Sequence, residues 1–152
     1  MSGTHALAAL DTDLCALGAV EALGRFRSGE LSPVELLDAV LARIDAVDGG
    51  RNTGPDAGAG GTPPSDTDIN AVVQILDGAR DAARDAEQRY RTGDVEPLGR
   101  GSSALLGLPV ATKEKHGIAG EPLRQGLGAL RSERATADQP VVERITAAGG
   151  VI

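Results

Sequence analysis

The 152 residues suit one domain, and 41% of them are apolar. The formal net charge of -7 argues against partners that present phosphate backbones or an anionic membrane surface. A single cysteine excludes an internal disulfide and a cysteine-built zinc cluster.

Only Phe26 and Tyr90 are aromatic, so Ala, Leu, Val and Ile must supply most of the core. The 21 glycines and 8 prolines imply much turn and loop. The start of the chain has no basic stretch like that of a signal peptide. No run approaches the roughly 18 apolar residues of a spanning helix. The expectation is a soluble cytoplasmic protein without cofactor or metal.

In chain order, residues 13–27 predict a helix. Leu14, Leu17, Val20 and Leu23 draw its apolar stripe, Asp13 is its N-cap and Gly29 its stop. Cys15 is expected to be buried on this helix. A second helix opens on Ser32, Pro33 and Glu35, which together form a capping box with proline at the first helical position. Val34, Leu37, Leu41 and Ile44 share one of its faces, and it is expected to end near Asp48. Residues 49–68 are rich in Gly, Pro, Asp and Thr and predict a flexible loop. The implied division is a helical segment over 1–48, a linker over 49–68 and a partial α/β core over 69–152.

Residues 71–75 predict a short strand, and 77–91 a helix with a solvated charged face carrying Asp77–Arg80 and Asp81–Arg84 pairs. Residues 108–112 form an apolar run followed by Lys113. This suits a buried strand with Pro109 at its start. A loop over 117–137 leads to a helix over 140–148, capped by Asp138 and stopped by Gly149-Gly150. Val151-Ile152 opens another strand. Strand–helix–strand alternation predicts an α/β fold with a parallel sheet.

Four groups bear on chemistry. Lys113 stands at the C-terminal end of a predicted strand, where parallel sheets place functional groups. Desolvation there would make it a base, whereas a solvated strand-end lysine is the plainer alternative. Glu114 and His116 stand beside it, and are read as structural or solvent-facing. Ser102 and Ser103 precede the strand in a glycine-bounded loop, and lack oxyanion donors. The glycines over 117–128 match no phosphate-binding pattern.

Four stretches carry a resemblance. They are Ser28 to Leu36 with Arg43-Ile44; Ile69-Asn70-Ala71; Gly107-Leu108-Pro109-Val110-Ala111-Thr112-Lys113-Glu114; and Asp138, Val141-Val142, Arg144 and Ala147 to Ile152. In order and spacing they resemble the N-terminal portion of the amidase signature family. The resemblance implies the first helices and opening strands of that family's mixed sheet. It also implies carboxylic amide hydrolysis by a Ser–cis-Ser–Lys triad, with Lys113 as the lysine. There, a neutral lysine accepts a proton through the bridging cis-serine, and backbone N–H groups hold the oxyanion.

Family members are several times longer. Their Gly-Lys-Thr-Asn turn and Gly/Ser-rich segment with both serines follow the counterpart of Val151-Ile152, so the chain is expected to be truncated and inactive alone. Leu106, Ala104 and Arg124-Gln125 depart from the family's usual His, Pro and Thr-Thr, and residues 49–68 are an insertion. The implied partners are a small-molecule amide and a complementary chain, with no nucleic acid or membrane. Two other readings stand beside this one: a non-catalytic interaction module, and a fragment of the A-type component of a tRNA-dependent amidotransferase. Residues 1–152 by themselves would expose a face that further strands and helices cover in the family, so marginal stability is expected. A sharp, cooperative thermal transition of a soluble monomer, followed by circular dichroism, would contradict that expectation.

Overall fold

The computed structural model describes residues 12–48, 69, 71–98, 100–123, 125, 127, 130 and 132–152. The loop expected over 49–68, Asn70, Arg124 and His5 lie outside the described residues. Among the described residues the helices are α1 (Thr12–Cys15), α2 (Ala19–Ser28), α3 (Pro33–Asp48), α4 (Ala79–Thr92) and α5 (Pro140–Ala147), with a 3-10 turn at Gly101–Ser103.

The first expected helix is therefore two helices, broken over 16–18. The break turns the stripe: Val20 is 71% exposed, while Ala22, Leu23 and Phe26 are the buried face of α2. Cys15 is exposed, and its Sγ–H donates to the Ala39 carbonyl at 3.5 Å. Gly29 ends α2 in the left-handed region with φ 75°. The α3 capping box forms as its residues require. Glu35 N–H donates to Ser32 Oγ at 3.1 Å, and Ser32 N–H donates to Glu35 Oε2 at 2.8 Å.

One cluster packs Ala22, Leu23, Phe26, Leu31, Leu36 and Leu108, with Tyr90 and Leu105 against it. A second packs Leu37, Ala79, Ala83 and Val151, with Val34 and Leu41. The alanine face of α4 lets that helix approach α3 closely, because each side chain ends at Cβ. Arg80 does not pair with Asp77 as expected. Its Nη2 reaches Asp38 Oδ1 on α3 at 3.1 Å, whereas the Asp81–Arg84 pair forms at 2.7 Å. These pairs are exposed and contribute at most about 1 kcal/mol each.

Both aromatics lie in the first cluster, with ring centroids 5.7 Å apart and tilted by 54°. Tyr90 O–H donates to the Leu106 carbonyl at 3.0 Å, and the Arg27 guanidinium stands 5.8 Å from the Tyr90 ring centroid. Burial pushes the Tyr90 phenol above its ordinary value, and the neighbouring Arg27 and Arg89 oppose this only in part.

The strand expected over 71–75 is reduced to a single bridged position at Ile75. Asp48, buried at the end of α3, accepts Ala71 N–H at 3.0 Å and Val72 N–H at 2.8 Å. The carboxylate thus takes up donors that a ladder would have used. The strand expected over 108–112 is reduced to an isolated parallel bridge between Pro109 and Val151. Val151 N–H donates to Leu108 O at 2.9 Å and Val110 N–H to Val151 O at 2.7 Å, while Gly107 N–H reaches Gly149 O at 2.9 Å. Pro109 brings no N–H, so it can offer another neighbour only its carbonyl. An antiparallel bridge, Pro122 to Arg134, lies within the expected 117–137 loop. The described chain is therefore helix-rich. The opening strands of a mixed sheet appear in it as bridges only.

Helix α5 has Gln139 as its N-cap, without a side-chain bond, in place of the expected Asp138. Asp138 Oδ1 instead accepts Ala119 N–H at 2.6 Å.

Two checks follow from this packing. Gly107 has φ 78°, and a Cβ there would come within 2.6 Å of Pro33 Cγ. Gly107→Ala should therefore cost about 2–4 kcal/mol, from left-handed strain and overpacking together. Gly24→Ala on α2 meets nothing within 4 Å and should add about 0.5–1 kcal/mol. Urea midpoints measured side by side should move in opposite directions. As the only tyrosine, Tyr90 can be titrated by its absorbance. The native midpoint should lie above that of the urea-unfolded chain. Because the native phenol holds its proton more tightly, its contribution to stability is full below the unfolded value near 10.0 and is lost as pH rises through the native value.

Candidate functional site

The candidate site is the segment that ends in Lys113. Its approach is rigid, because Leu106, Gly107 and Leu108 are all buried. Gly107 rests on Pro33 of α3 and faces the Ala86 methyl of α4 at 3.3 Å from its ideal Cβ position. The bonds to Gly149 and Val151 tie residues 107–110 to the chain that leaves α5. Past Val110 the ladder ends. Ala111 and Lys113 are exposed, and Thr112 and Glu114 are half-buried. The Lys113 ammonium therefore lies at a surface among the described residues, at the end of a buried approach.

The chain turns at once, with His116 N–H donating to the Lys113 carbonyl at 2.8 Å. His116 Nδ1 lies 2.9 Å from Gln139 Oε1, so the imidazole faces α5 rather than forming a pair with Glu114. Among the described residues no three His, Cys, Asp or Glu side chains converge as a metal site. No described helix is long and apolar enough to cross a membrane.

The Ser102–Ser103 pair has a structural task. Ser103 is fully buried, and its Oγ accepts Glu96 N–H at 2.9 Å and Arg89 Nη2–H at 3.3 Å. Arg89 Nη2 also donates to Ser102 Oγ at 3.2 Å. A hydroxyl held by these donors joins the 3-10 turn to α4, and presents no free nucleophile at the Lys113 end of the segment.

Arg89, Tyr90 and Arg27 form a polar frame around the 3-10 turn and Leu106, although the charges of the 77–91 helix were expected on a solvated face. A signal for it exists. Ala79, Ala83, Ala86 and Tyr90 recur at spacings of four, three and four, which is the periodicity of a buried helical stripe. Asp48 carries no comparable signal, since its partners lie across the 49–68 loop.

No protein-family model matches the chain. Over 142 residues it is 35% identical to the A-type component of the glutamyl-tRNA(Gln) amidotransferase of Salinispora tropica, covering 93% of this chain and 24% of that protein. Over 136 residues it is 31% identical to an acylamidase of Rhodococcus erythropolis, covering 89% of this chain and 24% of that protein. Among solved structures it is similar to an inhibitor-bound chain described as part of an unexpected vestigial protein complex that reveals the origins of an s-triazine catabolic enzyme. The TM-score is 0.64 and the identity 28%, over 89% of this chain and 25% of that one. The chain thus spans about a quarter of the length of the relatives it matches. With the Gly107–Glu114 segment and the α5-to-Val151 connection in the same order, the chain belongs to the amidase signature family and corresponds to the N-terminal quarter of its relatives.

Proposed function

We propose that residues 1–152 form the N-terminal part of a cytoplasmic hydrolase of carboxylic amide C–N bonds, with Lys113 as its base. The observation that carries this reading is the Gly107–Lys113 segment itself. Its first half is anchored by buried packing and by bonds to Gly149 and Val151, and its lysine follows three residues past the last bond at Val110. A base must be held where the proton will arrive, and a rigid approach to an otherwise open end does this.

In the reaction, a neutral Lys113 takes the proton of a serine hydroxyl through a second serine. The activated serine attacks the amide carbonyl, the amine leaves with a proton, and water then hydrolyses the acyl-enzyme. Residues 1–152 supply the lysine alone. The serine pair comes from the polypeptide that corresponds to the remaining three quarters of the relatives, on the same chain or on a complementary one. The relatives' names support the partner. The amidotransferase relative is one component of a multi-subunit enzyme by its name, and the solved neighbour is described as a complex.

Residues 1–152 alone should hydrolyse no simple amide. Combined with a family polypeptide carrying the serine pair, they should give turnover that Lys113→Ala lowers by about 10²–10⁴-fold. Lys115→Ala is the control and should leave the rate within twofold. Equal rates for Lys113→Ala and the unaltered assembly, in a steady-state amide assay, would refute the assignment.

A further inference from the structure

The segment bearing Lys113 is held at two places, and they flank the two ends of α5. Before Lys113, residues 107–110 bond to 149–151, just past the C-terminal end of the helix. After Lys113, the turn over 113–119 bonds to residues 138–139, just before its N-terminal end. Gln139 N–H donates to Gly117 O at 2.9 Å, and Asp138 Oδ1 accepts Ala119 N–H at 2.6 Å. The Gln139 side chain adds two more bonds. Its Nε2 donates to Lys115 O at 3.4 Å, and its Oε1 faces His116 Nδ1 at 2.9 Å. Helix α5 has eight residues, rising about 1.5 Å each, so a rod about 12 Å long separates the two anchors.

The side-chain arrangement is self-consistent. Gln139 Oε1 can only accept, so this contact is a hydrogen bond in the tautomer that carries the proton on His116 Nδ1. His116 N–H closes the turn onto the Lys113 carbonyl at 2.8 Å. Gln139 thus reaches Lys113 through one intermediary on each side of the amide, Lys115 and His116.

We infer that Gln139 is a positioning residue. Its side-chain amide locks the 113–117 turn onto the start of α5, and so sets the orientation of Lys113. This rests on the reading of Lys113 as the base. It identifies a residue outside the triad on which that base depends.

Gln139 is exposed, so its replacement leaves the core untouched. Two measurements test the assignment. In residues 1–152, Gln139→Ala should speed amide hydrogen exchange about tenfold over 113–117, with exchange at 107–110 and 149–151 unchanged. Gln139→Glu, which keeps an acceptor for His116, should recover part of the protection. In the assembly with the serine-bearing polypeptide, Gln139→Ala should lower kcat about tenfold with KM within twofold, because misplacement of a base acts on the chemical step. Unchanged exchange over 113–117, or an unchanged kcat where Lys113→Ala abolishes turnover, would overturn the positioning role. A general rise in exchange, or kcat and KM moving together, would also overturn it by showing a merely structural contribution. If Lys113→Ala itself leaves turnover intact, the assignment of the base falls, and the positioning role falls with it whatever the exchange shows.

Discussion

The parallel contact of residues 107–110 with 149–151 is the constraint on which the rest of the described structure depends. It joins segments some forty positions apart, and it consists of a few backbone bonds. Its close approach is possible because glycines stand on both sides. A Cβ on Gly149, at φ 84°, would lie 2.8 Å from Ser102 O, and one on Gly150 would lie 2.7 Å from Ile145 Cγ2. With Gly107 seated on Pro33, three glycines set the distance between the end of α5, the Leu106–Gly107 turn and helix α3. Val151 is then buried against Ala83 and Leu37, and Leu108 against Phe26. The apolar burial and the backbone bonds support each other, so neither stabilises the arrangement without the other.

A core with two aromatic rings needs other means of specifying its geometry. Much of that task falls to polar groups at the border of the apolar clusters. Tyr90 has its hydroxyl on Leu106 O, Arg89 binds both Ser102 and Ser103, and Arg27 Nη2 donates to Glu96 O at 2.5 Å. Each of these bonds fixes a point on the loop between α4 and Lys113. An unpaired buried hydroxyl or carbonyl there would cost about 1–3 kcal/mol, so the pairing selects one loop conformation over its competitors. Asp48 plays the same part at the end of α3, where it receives the chain that returns from residues 49–68.

The proposed base stands in a frame of this kind. Lys113 lies between an anchored approach and an anchored turn, while its own side chain remains exposed. An arrangement of this sort separates two requirements of a base. Its backbone is placed by residues within the described chain, and its side chain is left open at the surface.

The sequence by itself determined the local devices and the family resemblance. The Ser32–Glu35 box, the Gly29 stop and the α3 face depend on residues three or four positions apart, so their chemistry is complete within a short window. The Gly107–Lys113 segment is recognisable by the order of its residue types. The tertiary structure alone decided which faces are inside and which donors are taken. The break between α1 and α2 moved Val20 outward, and Asp48 took the Ala71 and Val72 donors of the strand expected over 71–75. Asp138 left its expected cap for Ala119, and Arg80 left Asp77 for Asp38. The last three outcomes each turn on a partner far away in the chain. A carboxylate or guanidinium has no fixed partner until packing brings one within hydrogen-bond distance, and no short window of sequence contains that distance.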